Sequence, residues 1–424
     1  MKNRTGVADS AATLRKLDRK PVPDIEDEIR AFMVVRNEVD LLPASLAHHR
    51  ALGVGRFFVI DNGSVDGSVD YLLSEPDVHV FHTLASYQRA RNGIDWAETL
   101  LHAHGLGKWC LVLDGDEYLV YPDSESASLP ALCGELADRG LNCLATLFID
   151  LYGSGAIARA VNARRSNGSP WFFDGSGYYH LPPTGSSLPR VFGGPRARLF
   201  WSEIDLGLYA ALSHGYVEQG FDETAYLDLH EDVKNAVAAG ELKSGLEHFT
   251  RYGHAELRAV PILPVRDWPE EVYLRQHPDV RESVAAGTLS GGLEHYIRFG
   301  QFEGRLLWKS GPPCLSQVPL IRWESAMSLD VGRHRMSGAR WARNDACGGA
   351  LLHFKLTTGI GQRASLVVAA PEEDVATPWQ LENQRYFETL QRHPNLSAMQ
   401  EGSVRFRDAR QLVALGILTP PSDW

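Results

Sequence analysis

The chain has 424 residues, of which 44% are hydrophobic and 22% charged, and a formal net charge of −11. That length exceeds one ordinary domain, and the acidic balance argues against general nucleic-acid binding. No apolar run approaches the ~18–20 residues that span a bilayer, and five cysteines without close-paired spacing argue against both a zinc site and a disulfide framework. A cytoplasmic, reduced protein is the expectation, with peripheral association at the inner face of a membrane left open.

Residues 1–29 are polar and mixed in charge and read as a loosely held arm; Lys2 and Arg4 have no apolar stretch behind them, so no secretory signal is expected. Ala31-Phe32-Met33-Val34-Val35 predicts a buried strand that ends in Arg36-Asn37-Glu38. A helix follows, with Asp40 placed to cap it, Pro43 in its first turn and Gly53 to stop it. Arg56-Phe57-Phe58-Val59-Ile60 is the next strand, followed by Asp61-Asn62-Gly63-Ser64-Val65-Asp66-Gly67. This is a βαβ unit, whose parallel strands carry ligand-binding polar residues at their C-terminal ends. Asn62-Gly63 and Asp66-Gly67 also have a plain turn reading.

Leu111-Val112-Leu113 is a further buried strand, and it runs into Asp114-Gly115-Asp116-Glu117. In an extended chain alternate side chains point the same way, so Asp114 and Asp116 can face one ligand across a glycine that blocks nothing. Two hard oxygen ligands there suit Mg²⁺ or Mn²⁺ bridging to a diphosphate; the bland alternative is a strand-to-turn junction. Leu144–Ile149 is another apolar strand, ending in Asp150.

Between Ala156 and Phe200 lie Arg159, Arg164, Arg165, Arg190, Arg196 and Arg198, with Asp174 the only acid. The stretch is rich in Gly, Pro and Ser and reads as a long loop whose arginines either meet phosphate groups or form a solvated surface. Trp171, Tyr178 and Tyr179 sit in it and suit stacking on sugar C–H faces; Tyr87 also lies beside the site segments, while Trp96 and Trp109 lie in regular elements and read as core.

Phe221–Arg258 aligns with Trp268–Arg305 at a constant offset of 47, with about half the positions identical. Each copy reads as short helices joined by tight turns, and two copies can share a core. His248 matches His295 and His230 matches His277. A packing residue has reason to persist in both copies and a catalytic one does not, so these histidines are expected to be structural. Residues 203–310 are therefore expected to be an inserted helical subdomain, available for homo-oligomerisation or partner docking.

In order and spacing, Arg36-Asn37-Glu38, Asp61 through Gly67, Trp109 through Pro122, Asp150-Leu151-Tyr152-Gly153, Pro319-Leu320-Ile321-Arg322-Trp323 and Gly349 through Lys355 form one ordered set. That set resembles the GT-A glycosyltransferases, specifically the bacterial family-2-like branch related to the DUF23 type. The resemblance covers residues 30–201 and 311–410, interrupted by the repeats. It implies an α/β, Rossmann-like fold with a mostly parallel sheet flanked by helices, divided as 30–202, the insertion, and 311–424. It also implies metal-dependent transfer of a sugar from a nucleotide-sugar donor, UDP-linked, to a glycan or lipid-linked glycan acceptor in surface-polysaccharide assembly.

On that resemblance Arg36, Asn37 and Glu38 open the nucleotide pocket. Asp61, Asn62, Asp66, Arg91 and Asp114 belong to it, and Lys355 meets the diphosphate. His353 joins Asp114 and Asp116 around the Mn²⁺ or Mg²⁺, and His334 is a weaker candidate. An inverting transfer needs a base; Asp150 is best placed by order, with Glu117 the second choice or a support to the metal ligands. Two alternatives stay open: a non-catalytic scaffold acting through the repeats, and a sugar nucleotidyltransferase, for which the Gly-rich loop after the first strand is missing.

Overall fold

The computed structural model describes residues 14–159, 170–181, 190–202, 216–265, 268, 270–301, 313–330, 333, 336–342, 347–357, 359–369, 378–420 and 422. Its strands in chain order are β1 (Arg15–Lys16), β2 (Ile29–Val35), β3 (Val54–Asp61), β4 (Val78–His82), β5 (Trp109–Asp114), β6 (Glu117–Val120), β7 (Cys143–Asp150), β8 (Phe172–Asp174), β9 (Tyr178–Leu181), β10 (Arg190–Gly193), β11 (Ser316–Arg322), β12 (Gly349–His353) and β13 (Ser403–Arg405).

The first βαβ unit forms as its sequence predicts. β2 pairs parallel with β3, and the helix Leu42–Leu52 connects them. Gly53 ends that helix in the left-handed region, at φ 114°, where a side chain would be strained. The N-cap is Leu41 rather than Asp40 and makes no side-chain cap bond; the Glu38 carbonyl instead accepts from the Leu41 and Leu42 N–H groups.

Nine strands form one sheet in the order β1-β4-β3-β2-β5-β11-β7-β12-β6. β4, β3, β2 and β5 are mutually parallel, and so are β7 and β12. β11 lies antiparallel between β5 and β7, and β1 and β6 are antiparallel edge strands. Consequently β2, β3, β4, β5, β7 and β12 all end at one edge of the sheet. This α/β architecture is consistent with a Rossmann-like GT-A fold.

Both faces of the sheet are covered, which explains why its central strands are apolar throughout. Ala31, Met33, Phe57, Val59, Leu111 and Leu113 face one core, closed by Leu42, Leu46, Leu129, Leu132 and Leu136 from the helices Leu42–Leu52 and Leu129–Asp138. The alternating residues Phe32, Phe58, Ile60, Cys110 and Val112 face the other, closed by Ile94, Trp96, Leu100 and Leu101 of the helix Ile94–His104. A third cluster joins Phe200 and Trp201 to Ile360, Ala364, Tyr386 and Leu390, bringing the helices Gly194–Phe200, Ile360–Ala369 and Pro378–Arg392 together.

Part of the segment expected to be a loose arm is built into the sheet. β1 pairs with β4, and Asp18 accepts hydrogen bonds from the Val80 and Lys20 N–H groups at 2.8 Å. Glu28 is buried between Arg30 and Arg56, at 2.8 and 2.9 Å.

The repeats form matching triplets of short helices, Glu223–Leu229, Glu231–Ala238 and Gly245–His248, then Glu270–Gln276, Pro278–Ala285 and Gly292–His295. They enclose their own apolar cluster, including Tyr226, Phe249, Tyr273 and Tyr296. Tyr226 bonds His248 at 3.0 Å and Tyr273 bonds His295 at 2.9 Å. Glu223 accepts from the Gly245 and Leu246 N–H groups, and Glu270 from that of Gly292, so one carboxylate per copy anchors the start of its third helix. His230 and His277 pack on the same tyrosines, with ring centroids 4.5 Å apart in both copies. All four histidines therefore have duplicated packing roles.

Candidate functional site

The strand register gathers the site. Val34 of β2 pairs with Asp114 of β5, and Val35 with Asp61 of β3. β12 lies between β7 and β6, so His353 pairs with Asp150 on one side and Glu117 on the other. Residues from five strand ends and the loops after them thus meet at one edge of the sheet.

The loops after β2 and β3 clasp each other. Asn37 has φ 56°, a left-handed conformation that asparagine tolerates. Its N–H donates to Ser64 Oγ at 2.9 Å, and its Oδ1 accepts from Val65 N–H at 2.8 Å. Asp66 accepts from Val39 N–H at 3.0 Å and from the Ser68 backbone and hydroxyl at 3.0 and 2.6 Å. Asp61 is fully buried and accepts from the Gly63 and Ser64 N–H groups and from His82 Nδ1 at 2.8 Å. Asn62 donates to the Thr83 and Ala85 carbonyls. Asn37, Asp61, Asn62 and Asp66 therefore shape this wall of the site by holding its loops, and the turn reading of Asp66 fits best. Arg36 is exposed beside them.

Asp114, Gly115 and Asp116 do not form an extended strand end. β5 stops at Asp114, a turn carries Gly115 and Asp116, and β6 begins at Glu117. The Asp116 carbonyl is held by Phe354 N–H at 3.0 Å. Gly115 is open for a different reason than a ligand's approach: the Glu38 carboxylate lies over it, and a Cβ there would overlap Glu38 Oε2. That oxygen is buried and has no hydrogen-bond partner.

Glu38, Asp114, Asp116 and Glu117 thus crowd together. Burial and the neighbouring Asp116 hold the Glu38 carboxyl well above its ordinary range. Burial also raises Asp114, against the pull of Arg333. Burial works against ionisation of Asp116 too, but His353, Arg363 and Lys355 outweigh it and hold that group low. Burial, with Asp114 and Asp116 alongside, pushes Glu117 up to about 8 against Arg333. Glu117 also accepts from Asp114 N–H at 3.0 Å, which braces the turn.

Three cations balance this charge or that of nearby carboxylates, and sequence reading singled out neither Arg333 nor Arg363. Arg333 places one nitrogen 2.8 Å from both Glu117 oxygens, and its Nε donates to Gln317 at 3.0 Å. Arg363 lies 3.3 Å from Asp116. Arg196, read as part of a phosphate-facing or solvated loop, is instead buried and bonds Asp150 at 2.8 Å. Arg198 of the same loop pairs with Asp174. The one usable signal was at Arg363, the sole charge in its helix. His334, next to Arg333, lies outside the described residues, as do Arg164 and Arg165.

Asp150, expected as a base, has both oxygens engaged. Its Oδ1 accepts from His353 Nδ1 at 2.7 Å and its Oδ2 from Arg196. Burial opposes its charge, but Arg196 and His353 hold it far below the usual carboxylate range, which suits an anchor rather than a proton acceptor. Glu117, the second choice, also has both oxygens engaged, by Arg333 and the Asp114 N–H, although burial raises it rather than lowering it. Lys355 bonds Glu382 at 3.1 Å and lies over the Tyr386 ring. Arg91 pairs with Asp95 and Glu98 and donates to the Leu329 carbonyl, so it braces the chain rather than presenting a free charge. Trp171 packs edge-on against Phe354, the Tyr178 hydroxyl is buried, and Tyr179 is exposed.

Among the described residues no three acidic, histidine or cysteine side chains close a metal cluster by themselves. The donor chemistry nevertheless fits a divalent cation: two carboxylates flank the turn, one buried carboxylate oxygen is unpartnered, and an imidazole nitrogen stands 4.0 Å from Asp116 Oδ1. Cations of the Mg²⁺ type are commonly held by one or two carboxylates plus substrate phosphates rather than by a full protein cage.

No family model matches the chain, and neither does any curated protein. Among solved structures it is similar to a mannosyltransferase, PcManGT from Pyrobaculum calidifontis, in complex with GDP-Man and Mn²⁺, at 19% identity and a TM-score of 0.23 over 31% of this chain and 39% of that one. It is also similar to a 4-diphosphocytidyl-2C-methyl-D-erythritol synthase, at 20% identity and a TM-score of 0.21 over 31% of this chain and 64% of that one. The chain thus spans less than two thirds of either protein's length, and likenesses of this degree bear on neither donor nor reaction.

Proposed function

We propose that this protein is a metal-dependent glycosyltransferase. It moves a sugar from a nucleotide-sugar donor, UDP-linked, to a glycan or lipid-linked glycan acceptor in bacterial surface-polysaccharide assembly. The observation that carries the reading is the convergence of Glu38, Asp114, Asp116 and His353 at the C-terminal edge of the sheet. Ligands bind at that edge in open α/β folds.

In this reading Asp114, Asp116 and His353 hold Mn²⁺ or Mg²⁺. When bound, the cation supplies Lewis-acid stabilisation of the departing diphosphate. Arg363, beside Asp116 and partly exposed, and Lys355, just after β12, add positive charge toward the same group. Glu117 and Arg333 brace the turn from behind. Neither Asp150 nor Glu117 is given the base role, because the oxygens of each are already engaged, by Arg196 and His353 or by Arg333 and the Asp114 N–H. The described part of the insertion, within residues 216–301, forms a helical appendage that contributes no catalytic group; the rest of 203–310 lies outside the described residues.

The test is a screen of nucleotide-sugar hydrolysis and transfer with Mn²⁺, run beside donor-induced thermal shifts. Asp114→Asn and Asp116→Asn should each lower turnover by about 100-fold or more, a loss of the size seen when one charge-stabilising group is removed, with the melting temperature nearly unchanged. Near-normal turnover in either variant, or a donor shift that does not require the cation, overturns the reading.

A further inference from the structure

We propose that Arg196 and Asp150 form a buried positioning pair that fixes His353 with its proton on Nδ1 and its Nε2 lone pair turned toward Asp116. For the role of the cation this rests on the function proposed above. For the state of the imidazole it stands on the geometry alone.

β7 and β12 are parallel neighbours in register, so Asp150 and His353 lie side by side on adjacent strands. Asp150 Oδ1 is 2.7 Å from His353 Nδ1, and Oδ2 is 2.8 Å from Arg196 Nε. The imidazole is stacked on Phe148, with centroids 4.6 Å apart and planes 28° apart, and the Arg196 guanidinium lies over the same ring. The imidazole is therefore held at one face and one edge. An ionised carboxylate only accepts hydrogen bonds, so His353 Nδ1 must donate. In the neutral ring the lone pair is then on Nε2, the nitrogen that faces Asp116.

At 4.0 Å, Nε2 and Asp116 Oδ1 are too far apart to hydrogen-bond each other. That separation is one that two ligands of a single ion, each about 2.0–2.2 Å from it, can span. A carboxylate behind the far nitrogen of a metal-binding histidine sets its tautomer and orientation, and losing that support typically weakens metal binding by about 10–100-fold. The side chains of Asp150 and Arg196 are 1% and 4% exposed. An acceptor hydroxyl cannot easily reach a carboxylate so enclosed, which separates this role from that of a base.

The substitution Asp150→Asn makes a specific prediction. Arg196 can only donate, so the asparagine carbonyl turns to Arg196 and its NH₂ group faces His353. His353 Nδ1 must then accept, and the proton moves to Nε2. The experiment uses the metal-free full chain labelled with ¹⁵N-histidine. Long-range ¹H–¹⁵N spectra report the His353 tautomer, assigned by His353→Gln, and Mn²⁺ affinity is measured separately by electron paramagnetic resonance.

In spectra taken at a pH high enough for the imidazole to be neutral, wild type should show the proton on Nδ1. Asp150→Asn should show it on Nε2, with Mn²⁺ binding weakened about 10–100-fold. If Asp150→Asn does not fold, the double variant Asp150→Leu/Arg196→Met removes both buried charges together and should give a mixture of tautomers with the same loss of affinity. An unchanged tautomer in the variant overturns the proposal, as does unchanged Mn²⁺ affinity in a variant whose tautomer has flipped. If wild type binds no Mn²⁺ but the tautomer still flips, the positioning pair stands and the cation reading fails.

Discussion

Arg333 offers a sharp test of how the carboxylate cluster is held together. It is 7% exposed, it contacts both oxygens of Glu117 at 2.8 Å, and Glu117 is itself 2% exposed. At pH 9, above the Glu117 value of about 8, Arg333→Met leaves a buried carboxylate beside Asp114 and Asp116 with no cation against it. Breaking a buried pair in this way costs about 3–5 kcal/mol. Glu117→Gln alone strands the guanidinium instead and should cost a similar amount. The double variant removes both charges, and apolar or neutral replacement of a whole buried pair is often nearly neutral. Each single loss should therefore exceed the double loss by about 3–5 kcal/mol, so the losses are far from additive. The assay is urea unfolding of all four proteins, with slopes compared to confirm that the unfolded state is unchanged. Arg139→Met is the control: its partner Glu135 is 39% exposed, and an exposed pair of this kind contributes about 0–1 kcal/mol. Additive losses in the cycle, or an Arg333 variant no weaker than the Arg139 control, would refute the reasoning.

Two further outcomes follow from buried groups elsewhere. His49 is fully buried, donates from Nδ1 to the Ser45 carbonyl at 2.8 Å and accepts from Leu119 N–H at Nε2, so burial lowers its pKa to about 3. Its stabilising effect is complete above the unfolded value near 6.5 and is lost as pH falls toward 3, so the stability advantage of wild type over His49→Gln should shrink by about 1.4 kcal/mol per pH unit between pH 6 and 4; urea midpoints that keep a constant difference would contradict this. In the repeats, a Cβ at Gly253 or Gly300 would overlap the Tyr226 or Tyr273 hydroxyl. Each Gly→Ala variant should therefore cost about 1–3 kcal/mol of overpacking, seen as faster hydrogen exchange within 216–301 and not in the sheet; equal loosening of both would show that the repeats and sheet do not unfold separately.

Much of the scaffold was legible because local chemistry dictates it. Continuous apolar runs announced β2, β3, β5 and β7, since strands covered on both faces carry no polar alternation. Gly53 marked its helix end because only glycine adopts that backbone without strain. The duplicated histidines were readable as structural from repetition alone, and the Tyr226–His248 and Tyr273–His295 bonds bear this out. The Asp-Gly-Asp turn was found from its residue types, although the reason given for it, an extended chain, was not the one the fold uses.

The partners of those residues belong to the tertiary structure. Arg333 meets Glu117 across 216 positions, Arg363 meets Asp116 across 247, and His353 meets Asp150 across 203. No local pattern encodes such pairs; they exist because β12 enters the sheet between β7 and β6 at one particular register. Residue type told that Asp150 could accept a proton and that Arg196 could meet a phosphate. Burial of the two against each other decided otherwise, because a charge withdrawn from water must find its opposite before it can serve anything else.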